Sequence, residues 1–164
     1  MSGKVYVLDT AALIYLRRYP GDNVTTPSAV EEVKRSDERL MVDALVSAEL
    51  IRLVEPPERY LKEARSLATE TGDIHVLSGT DLEILALSLY LRDSGRDVVV
   101  VTDDYAIQNV LRRAGVPYQA VTRSIKRSLR WVYVCSKCGR RYSAREKPDT
   151  CVVCGGEIRR VRRK

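Results

Sequence analysis

The segment Asp97-Val98-Val99-Val100-Val101-Thr102-Asp103-Asp104 decides the fold of this chain. Four consecutive valines predict a central strand that is buried on both faces, which is typical of a parallel sheet. The residues that follow predict a helix over 103–114 that ends at Gly115. Ligands bind parallel sheets at the carboxyl ends of the strands, so Asp103 lies where a functional site is expected.

Upstream of this segment, the chain repeats the same alternation of strands and helices. Residues 4–8 predict a buried strand that ends at Asp9, and shorter strands are predicted at 51–54 and, on an edge, at 118–121. Residues 19–23 predict a turn. Periodicity and capping signals, among them a capping box of Thr80 and Glu83, predict helices over 10–18, 27–34, 38–48, 58–69 and 80–92. The predicted fold class is α/β, a parallel sheet flanked by helices.

The composition indicates a folded protein with an uneven charge. Hydrophobic residues make up 45% of the 164 residues, and no apolar run approaches the length of a membrane span, so we expect a cytoplasmic protein without a membrane partner. Residues 1–119 carry 14 Lys and Arg against 19 Asp and Glu, a balance of −5, whereas residues 120–164 carry 14 against 3, a balance of +11. A basic tail on an acidic body indicates a polyanion partner, although a solvated charged surface is the alternative.

Two matched cysteine pairs lie near the end of the chain, in Cys135-Ser-Lys-Cys138-Gly139 and Cys151-Val-Val-Cys154-Gly155. Each pair predicts a tight turn that aims two sulfurs at one point, and the glycine permits the left-handed backbone there. Four thiolates would close a tetrahedral shell around one zinc ion, which we therefore predict to be structural. The segment is too short to bury its own core, so metal binding must stabilise its fold. Redox cysteines and an iron–sulfur centre are the alternatives.

Five acidic residues of the first domain form a second candidate site: Asp9, Glu32, Asp81, Asp103 and Asp104. Each of them has a simpler role when taken alone, such as ending a strand or capping a helix. Together they can meet at one edge of the sheet, where like charges repel unless a cation lies among them. Ligand sets made only of oxygen select Mg²⁺ or Mn²⁺, and such a site fits hydrolysis of a phosphodiester.

Other phosphate chemistries lack their residues in this chain. His75 is the only histidine, which excludes a nuclease that uses two histidines as acid and base within one subunit. We expect it to be an ordinary loop histidine. The sequence contains neither a GxxxxGK[ST] phosphate loop nor a nucleophile elbow.

Four segments resemble the acidic motifs of PIN-domain nucleases, in the same order. They are Val-Leu-Asp9-Thr-Ala-Ala-Leu-Ile, Thr-Pro-Ser-Ala-Val-Glu-Glu32-Val, Gly-Thr-Asp81-Leu-Glu-Ile-Leu-Ala-Leu and Val-Thr-Asp103-Asp104-Tyr-Ala-Ile. The resemblance covers nearly all of the first domain and implies a small α/β fold that cuts RNA with Mg²⁺ or Mn²⁺. It implies that the catalytic metal ligands are Asp9, Glu32, Asp81 and Asp103. Glu31 is the alternative in the second motif. Asp104 would be a supporting ligand or a cap, and Thr102 would orient a carboxylate through its hydroxyl, with a helix cap as the alternative.

A longer pattern resembles the Nob family of PIN-domain proteins in its compact, archaeal form. It combines Asp103-Asp104-Tyr-Ala-Ile-Gln-Asn-Val-Leu with Arg130-Trp131-Val-Tyr-Val-Cys and the four-cysteine ribbon. This resemblance implies the endonuclease that makes the final 3′-end cut on precursor small-subunit (16S) ribosomal RNA, with the small ribosomal subunit as partner. The implied organisation is a nuclease domain (1–122), a basic linker (123–130) and a zinc ribbon with a basic tail (131–164), called the cysteine module below.

Two other functions stay open. A toxin-type PIN ribonuclease would resemble the first domain but would normally lack the ribbon, and a non-catalytic zinc-ribbon RNA-binding or ribosome-assembly factor would lack the carboxylates. For RNA binding, Trp131 and Tyr142 are candidates to stack on unpaired bases, with packing at the domain junction or under the zinc knuckle as the alternative. The candidate phosphate contacts are Lys126, Arg127, Arg130, Arg140, Arg141 and the terminal arginines.

Overall fold

The four valines form an interior strand of a parallel sheet, as predicted. The computed structural model describes residues 3–15, 18–121 and 130–163. In it, the valine strand (Val98–Val101) is buried at every position and pairs in parallel with the first strand, β1 (Val5–Leu8). Both strands are therefore covered on their two faces, which explains why they read as uninterrupted apolar runs.

Three further strands complete the sheet. They are β2 (Asp22–Thr25), β3 (Arg52–Leu53) and β5 (Tyr118–Gln119), with the valine strand as β4 between β3 and β5 along the chain. The order across the sheet is β3-β2-β1-β4-β5, and every pair is parallel. The predicted α/β class and the predicted edge position of β5 are confirmed.

Helices connect these strands. Within the described residues they are α1 (Thr10–Ile14), α2 (Pro27–Glu31), α3 (Ser36–Ser47), α4 (Glu58–Thr71), α5 (Gly79–Asp93) and α6 (Tyr105–Ala114). Helix α5 lies deepest, because its apolar residues from Leu82 to Leu89 are buried almost all round, and it contacts β1, β4 and α4. Fully burying each large aliphatic side chain stabilises the fold by about 1.5–3 kcal/mol. This packing fixes the amino-terminal turn of α5, where Asp81 lies.

The sequence prediction was wrong about the segment around residue 22. Residues 19–23 were predicted as a turn, but β2 begins at Asp22 and only Val24 in it is hydrophobic. Pairing with β1 makes this a strand, since the Asp22 amide donates to the Lys4 carbonyl at 3.0 Å. A Cβ added at Gly21 would lie 2.2 Å from that same oxygen, so the close approach of the two strands requires glycine there.

Helix boundaries account for the remaining differences. The capping box of α5 is formed by Ser78 and Asp81, not by Thr80 and Glu83, so the helix begins one residue earlier than predicted. Helix α6 begins at Tyr105, because the Asp104 side chain is its cap. Helix α2 ends at Glu31 and leaves Glu32 as its C-cap, and α1 ends at Ile14.

The cysteine module forms a separate antiparallel sheet. Its strands β6 (Trp131–Cys135), β7 (Arg141–Tyr142) and β8 (Ile158–Arg162) have the order β7-β6-β8. Its buried cluster contains only five residues: Tyr133, Cys135, Tyr142, Ala144 and Cys151. A core of this size is too small to stabilise a domain, which agrees with a fold held by metal. In the parts of the chain that the structure describes, every helix is too short or too polar to cross a membrane.

Candidate active site and metal centre

Asp9 is the most enclosed carboxylate at the carboxyl edge of the sheet. It follows β1 directly, is 5% exposed, and caps α1 by accepting a hydrogen bond from the Ala12 amide at 2.8 Å. The hydroxyl of Thr102, which follows the neighbouring strand β4, also hydrogen-bonds to the Asp9 carboxylate. The same hydroxyl accepts a hydrogen bond from the Asp104 amide at 3.1 Å, so Thr102 has contacts that fit both roles left open by the sequence.

The electrostatics of Asp9 reveal which other carboxylates are near. The pKa of Asp9 is raised to about 6, first by burial and then by the negative charges of Asp104 and Asp81, against the hydrogen bonds from Thr102 and Ala12. The pKa of Asp81 is also raised, first by burial and then by the charges of Asp104 and Glu32. Asp9, Asp81, Asp104 and Glu32 thus form one electrostatic group, in which the charges of Asp104 and Glu32 act on the two buried carboxyls.

Glu32 is tied to this group through α1. It is exposed at the end of α2, and Thr10, the residue after Asp9, donates its hydroxyl to the Glu32 carboxylate at 2.8 Å. Glu31 lines a different cavity of about 370 Å³, together with Glu55 and Glu83. These positions favour Glu32 over Glu31 as the acidic residue of the second motif.

The two acidic residues after β4 differ in role. Asp104 is exposed and caps α6, accepting hydrogen bonds from the Ala106 amide at 2.7 Å and the Ile107 amide at 3.2 Å. Asp103 is half-buried and precedes that cap. Asp104 therefore acts as the cap that the sequence offered as one of its two roles, and its charge still reaches Asp9 and Asp81.

The carboxylates are neighbours, but they do not form a closed ligand shell. Among residues 3–15, 18–121 and 130–163, the four cysteines are the one set of potential ligands whose atoms all lie within 4.8 Å of one another. Several acidic side chains are held by helix-capping hydrogen bonds, as Asp9, Asp81 and Asp104 are. A carboxylate cluster that is not a closed ligand shell can bind a cation that also binds waters and a phosphate group.

The four cysteines, in contrast, are assembled as predicted. The Sγ atoms of Cys135 and Cys154 are 3.4 Å apart, and those of Cys138 and Cys151 are 3.6 Å apart. Sulfurs that bind one zinc ion at about 2.3 Å in a tetrahedron are about 3.8 Å apart, so the set fits that ion. Gly139 and Gly155 both have positive φ, at 73° and 68°, as the tight turns require.

Tyr142 supports this cysteine set from beneath. Its side chain is buried, and its hydroxyl lies 3.1 Å from the Cys151 sulfur. That hydrogen bond is the largest influence that lowers the pKa of the Cys151 thiol to about 6, which favours the thiolate that a metal needs. Of the two roles left open by the sequence, packing under the cysteine turns is therefore the one that Tyr142 has.

Comparison with known proteins matches the first part of the chain to a domain family and nearly the whole chain to individual proteins. The family model described as the PIN domain of ribonuclease matches residues 6–91, about half of the chain. Endoribonuclease Nob1 of Pyrococcus abyssi is 34% identical over 158 residues, which cover 96% of this chain and 94% of that protein. The chain belongs to the Nob1 family of PIN-domain endoribonucleases.

Two further relatives of this Nob1-family chain differ in name and in how much of the chain they match. Ribonuclease VapC1 of Thermoplasma acidophilum is 35% identical over 161 residues, 96% of this chain and 78% of that protein. The 20S-pre-rRNA D-site endonuclease NOB1 of Saccharomyces cerevisiae is 32% identical over 93 residues, 54% of this chain and 20% of that protein. At 96% coverage, the match to the VapC1 protein spans the positions of the four cysteines of this chain.

The remaining sequence candidates of this Nob1-family endoribonuclease concern RNA binding. Arg130, Arg140 and Arg141 are exposed. Trp131 is half-buried under the guanidinium of Arg160, at 4.2 Å from the ring centre, which is the packing role left open by the sequence. Lys126 and Arg127 lie outside the described residues.

One buried residue was missed at the sequence level. Asp73 is 0% exposed and connects the nuclease domain to the cysteine module through Arg160. Asn109 and Arg160, which both contact its carboxylate, lie 36 and 87 positions away along the chain, so no local motif could have identified these contacts. His75, two residues further on, has its ring nitrogen Nε2 against the carbonyl of Ala144 in the cysteine module. It is thus a loop histidine, as expected.

Proposed function

We propose that this Nob1-family endoribonuclease cleaves precursor small-subunit (16S) ribosomal RNA at the mature 3′ end, in a single-stranded region. The observation that carries the nuclease site is the setting of Asp9, a buried carboxylate with a pKa of about 6 among Asp81, Asp104 and Glu32. The choice of substrate is supported by the yeast relative, whose name describes a pre-rRNA endonuclease. Its substrate would be met on the small ribosomal subunit, in the cytoplasm.

The catalytic ligands in this proposal are Asp9, Glu32, Asp81 and Asp103, which would hold Mg²⁺ or Mn²⁺. Their donor set fits such an ion, because it consists only of carboxylate oxygens. A bound cation would also compensate the negative charges, whose burial and mutual repulsion are otherwise unfavourable. When bound, the cation would activate a water for attack on phosphorus and stabilise the departing oxygen.

The chain itself supplies the arrangement around that chemistry. Hydrogen bonds from the Ala12 amide and the Thr102 hydroxyl keep the Asp9 carboxylate pointed at the edge of the sheet and favour its ionised form. Thr10 holds Glu32 against the same edge. Asp104 would act as a supporting ligand in the outer layer, since its carboxylate already caps α6.

The cysteine module would bind one structural zinc ion per chain and supply the RNA grip. In this proposal its boundaries are 131–164, after a nuclease domain of 1–122 and a linker of 123–130. The proposed phosphate contacts are Lys126, Arg127, Arg130, Arg140 and Arg141. Trp131 and Tyr142 would act indirectly by supporting these residues, since one is under Arg160 and the other is under Cys151.

The decisive experiment is product mapping. Purified protein with Mn²⁺ would be incubated with an RNA that spans the mature small-subunit 3′ end and with an unrelated single-stranded RNA of equal length. We expect one dominant cut at the mature end of the first RNA and slow, scattered cuts in the second. Equal cutting of both RNAs would contradict the ribosomal assignment.

A second candidate function is that of a toxin-type PIN ribonuclease. The observation that favours it is the relative named VapC1, whose match covers 96% of this chain. A toxin of this type would cut other cellular RNA and arrest growth when produced alone. The same mapping experiment separates the two functions, if transfer and messenger RNA are added as competing substrates.

A further inference from the structure

A buried carboxylate joins the nuclease domain to the cysteine module. Asp73 follows the end of α4, is 0% exposed, and uses its two oxygens for two different parts of the molecule. Oδ2 accepts a hydrogen bond from Asn109 of α6 at 2.7 Å, whereas Oδ1 accepts one from the Arg160 guanidinium of β8. These contacts connect the nuclease helix α6 and the last strand of the cysteine module through one side chain.

The cysteine module is shaped to fit this turn. The Tyr133 hydroxyl donates to the carbonyl of Gly72 at 3.0 Å, next to Asp73. Gly72 has a φ of 80°, and a Cβ there would lie 2.4 Å from the Trp131 carbonyl oxygen. Arg160 is held in place by the face of the Trp131 ring, 4.2 Å away. The module therefore docks against residues 72–73 through several independent contacts.

On the nuclease side, the same carboxylate reaches the helix that follows the acidic residues. Asn109 lies five positions after Asp104, or about 7.5 Å along α6. Its neighbour Gln108 donates its side-chain amide to the Thr102 carbonyl at 2.8 Å, and the Thr102 hydroxyl contacts Asp9. A short path of buried hydrogen bonds thus runs from Arg160 through α6 to the candidate site.

We propose that Asp73 is a positioning residue: with Arg160 it locks the cysteine module at one fixed placement relative to the acidic edge, and so determines which phosphodiester of a bound RNA reaches that edge. The proposal rests on the proposed function in one respect, that the module holds RNA which the carboxylates cut. Arg160, unlike the exposed arginines, is thereby assigned to the lock and removed from the phosphate contacts.

The test compares two arginines of the same strand. Arg160→Met breaks the lock, whereas Arg159→Met removes an equal charge from an exposed side chain that pairs only with Glu157 in the described chain. Removing Arg160 leaves the Asp73 carboxylate buried and unpaired, so we expect the midpoint of thermal unfolding to fall by about 5–15 °C. Arg159→Met should change it by less than about 2 °C. Adding Asp73→Asn to Arg160→Met should recover part of the loss, because the unpaired charge is then gone.

The positioning role has its own readout. RNA affinity should fall no further in Arg160→Met than in Arg159→Met, while the preference of Arg160→Met for the main cut over neighbouring phosphodiesters should fall on the order of 10- to 100-fold. If Arg160→Met does not fold, the neutral pair Asp73→Asn with Arg160→Met carries this measurement. An unchanged product pattern in a variant with a broken lock would overturn the proposal. Absence of any cutting by the wild type would instead contradict the proposed function, and the unfolding measurements would still test the lock.

Discussion

The two ligand sets of this chain are built in opposite ways. The four thiols of the cysteine module are already gathered within 4.8 Å of one another, on turns that their own spacing dictates. The carboxylates of the nuclease domain come from strand ends and helix starts that are distant in sequence, and several of them also cap helices. The cysteines hold together a module whose buried core is small, whereas the carboxylates lie on a domain that has a large core of its own.

This difference separates stability from chemistry. A closed thiolate shell has no position for a substrate, so loss of a ligand should remove structure. The clustered carboxylates destabilise the folded state, since burial and mutual repulsion oppose their ionisation. Loss of one carboxylate should therefore remove activity while leaving the structure intact or more stable.

The largest effect should follow from neutralising the acidic edge. Asp9→Asn keeps the side-chain shape and the cap on α1 but removes a charge that holds the cation. Because a metal ion contributes several kcal/mol to such a transition state, cleavage should fall by at least about 100-fold. Asp103→Asn should behave in the same way, and RNA affinity and circular dichroism should stay at wild-type values.

The matched control is Asp97→Asn. Asp97 is exposed and precedes β4, whereas Asp103 follows that strand. Asp97→Asn therefore removes an equal charge at the amino end of β4, far from the acidic edge. Its cleavage rate should equal that of the wild type. Wild-type cleavage by both Asp9→Asn and Asp103→Asn would show that the carboxylates are not the site.

The next largest effect should come from opening the thiolate shell. Cys135→Ser should lose the bound metal, which we expect at about one zinc per chain in the wild type, and the cysteine module should unfold. Ser136→Ala, at the exposed neighbouring position, is the control. Metal analysis and amide hydrogen exchange would follow the two events. Full retention of protection in β6 and β8 without metal would contradict this assignment.

The cysteine pairs and the valine strand could be predicted from sequence because their signals are local. Two CxxC turns fix the geometry of their own sulfurs, and four valines in a row are typical only of a buried element. The strand β2 could not be predicted, since Asp22 and Asn23 are poor strand formers and become a strand only through pairing with β1.

The assignment of the four catalytic carboxylates stays a prediction from the sequence. Four acidic positions followed from motifs, but their hydrogen bonds to Thr10 and Thr102 depend on how the elements pack. The lock at Asp73 joins residues that are 87 positions apart, and Arg160 looked like one more member of a basic tail. Charge patterns reveal that a tail is basic, but not which of its charges are used internally.

A smaller effect should follow from removing exposed positive charge from the cysteine module. Arg140→Gln with Arg141→Gln should lower RNA affinity on the order of 10-fold and reduce the slope of log affinity against log salt by about 1.4, or 0.7 per phosphate contact on a single strand. Fluorescence anisotropy at several salt concentrations would measure both. Removing two charges from the nuclease domain, with Arg35→Gln and Arg39→Gln, is the control. Equal losses in the two double variants would mean that only overall charge matters.

The smallest effect concerns the stability cost of the Asp9 charge. The pKa of Asp9 is about 6 in the folded chain against 3.8 ordinarily, so the folded state holds this proton more tightly than the unfolded state. The wild type therefore loses stability as pH rises from about 4 to about 6, and Asp9→Asn loses less, because among the carboxyls at positions 9 and 81 only Asp81 then has a raised pKa. Without Mg²⁺ or Mn²⁺, Asp9→Asn should be more stable by about 1–3 kcal/mol at pH 7, with no difference near pH 4. Urea unfolding at both pH values would measure this.

Adding a divalent cation should reverse the order of stability of the wild type and Asp9→Asn, and this links the stability of the acidic edge to its metal chemistry. Mn²⁺ binds the ionised carboxylates of the folded wild type and stabilises it in proportion to the logarithm of its concentration, whereas Asp9→Asn gains little. The unfolding must be followed without a chelator, because a chelator would also strip the cysteine-bound metal. Asp97→Asn should track the wild type throughout. If Asp9→Asn were less stable than the wild type at pH 7 without added cation, Asp9 would be a structural cap and not a strained ligand.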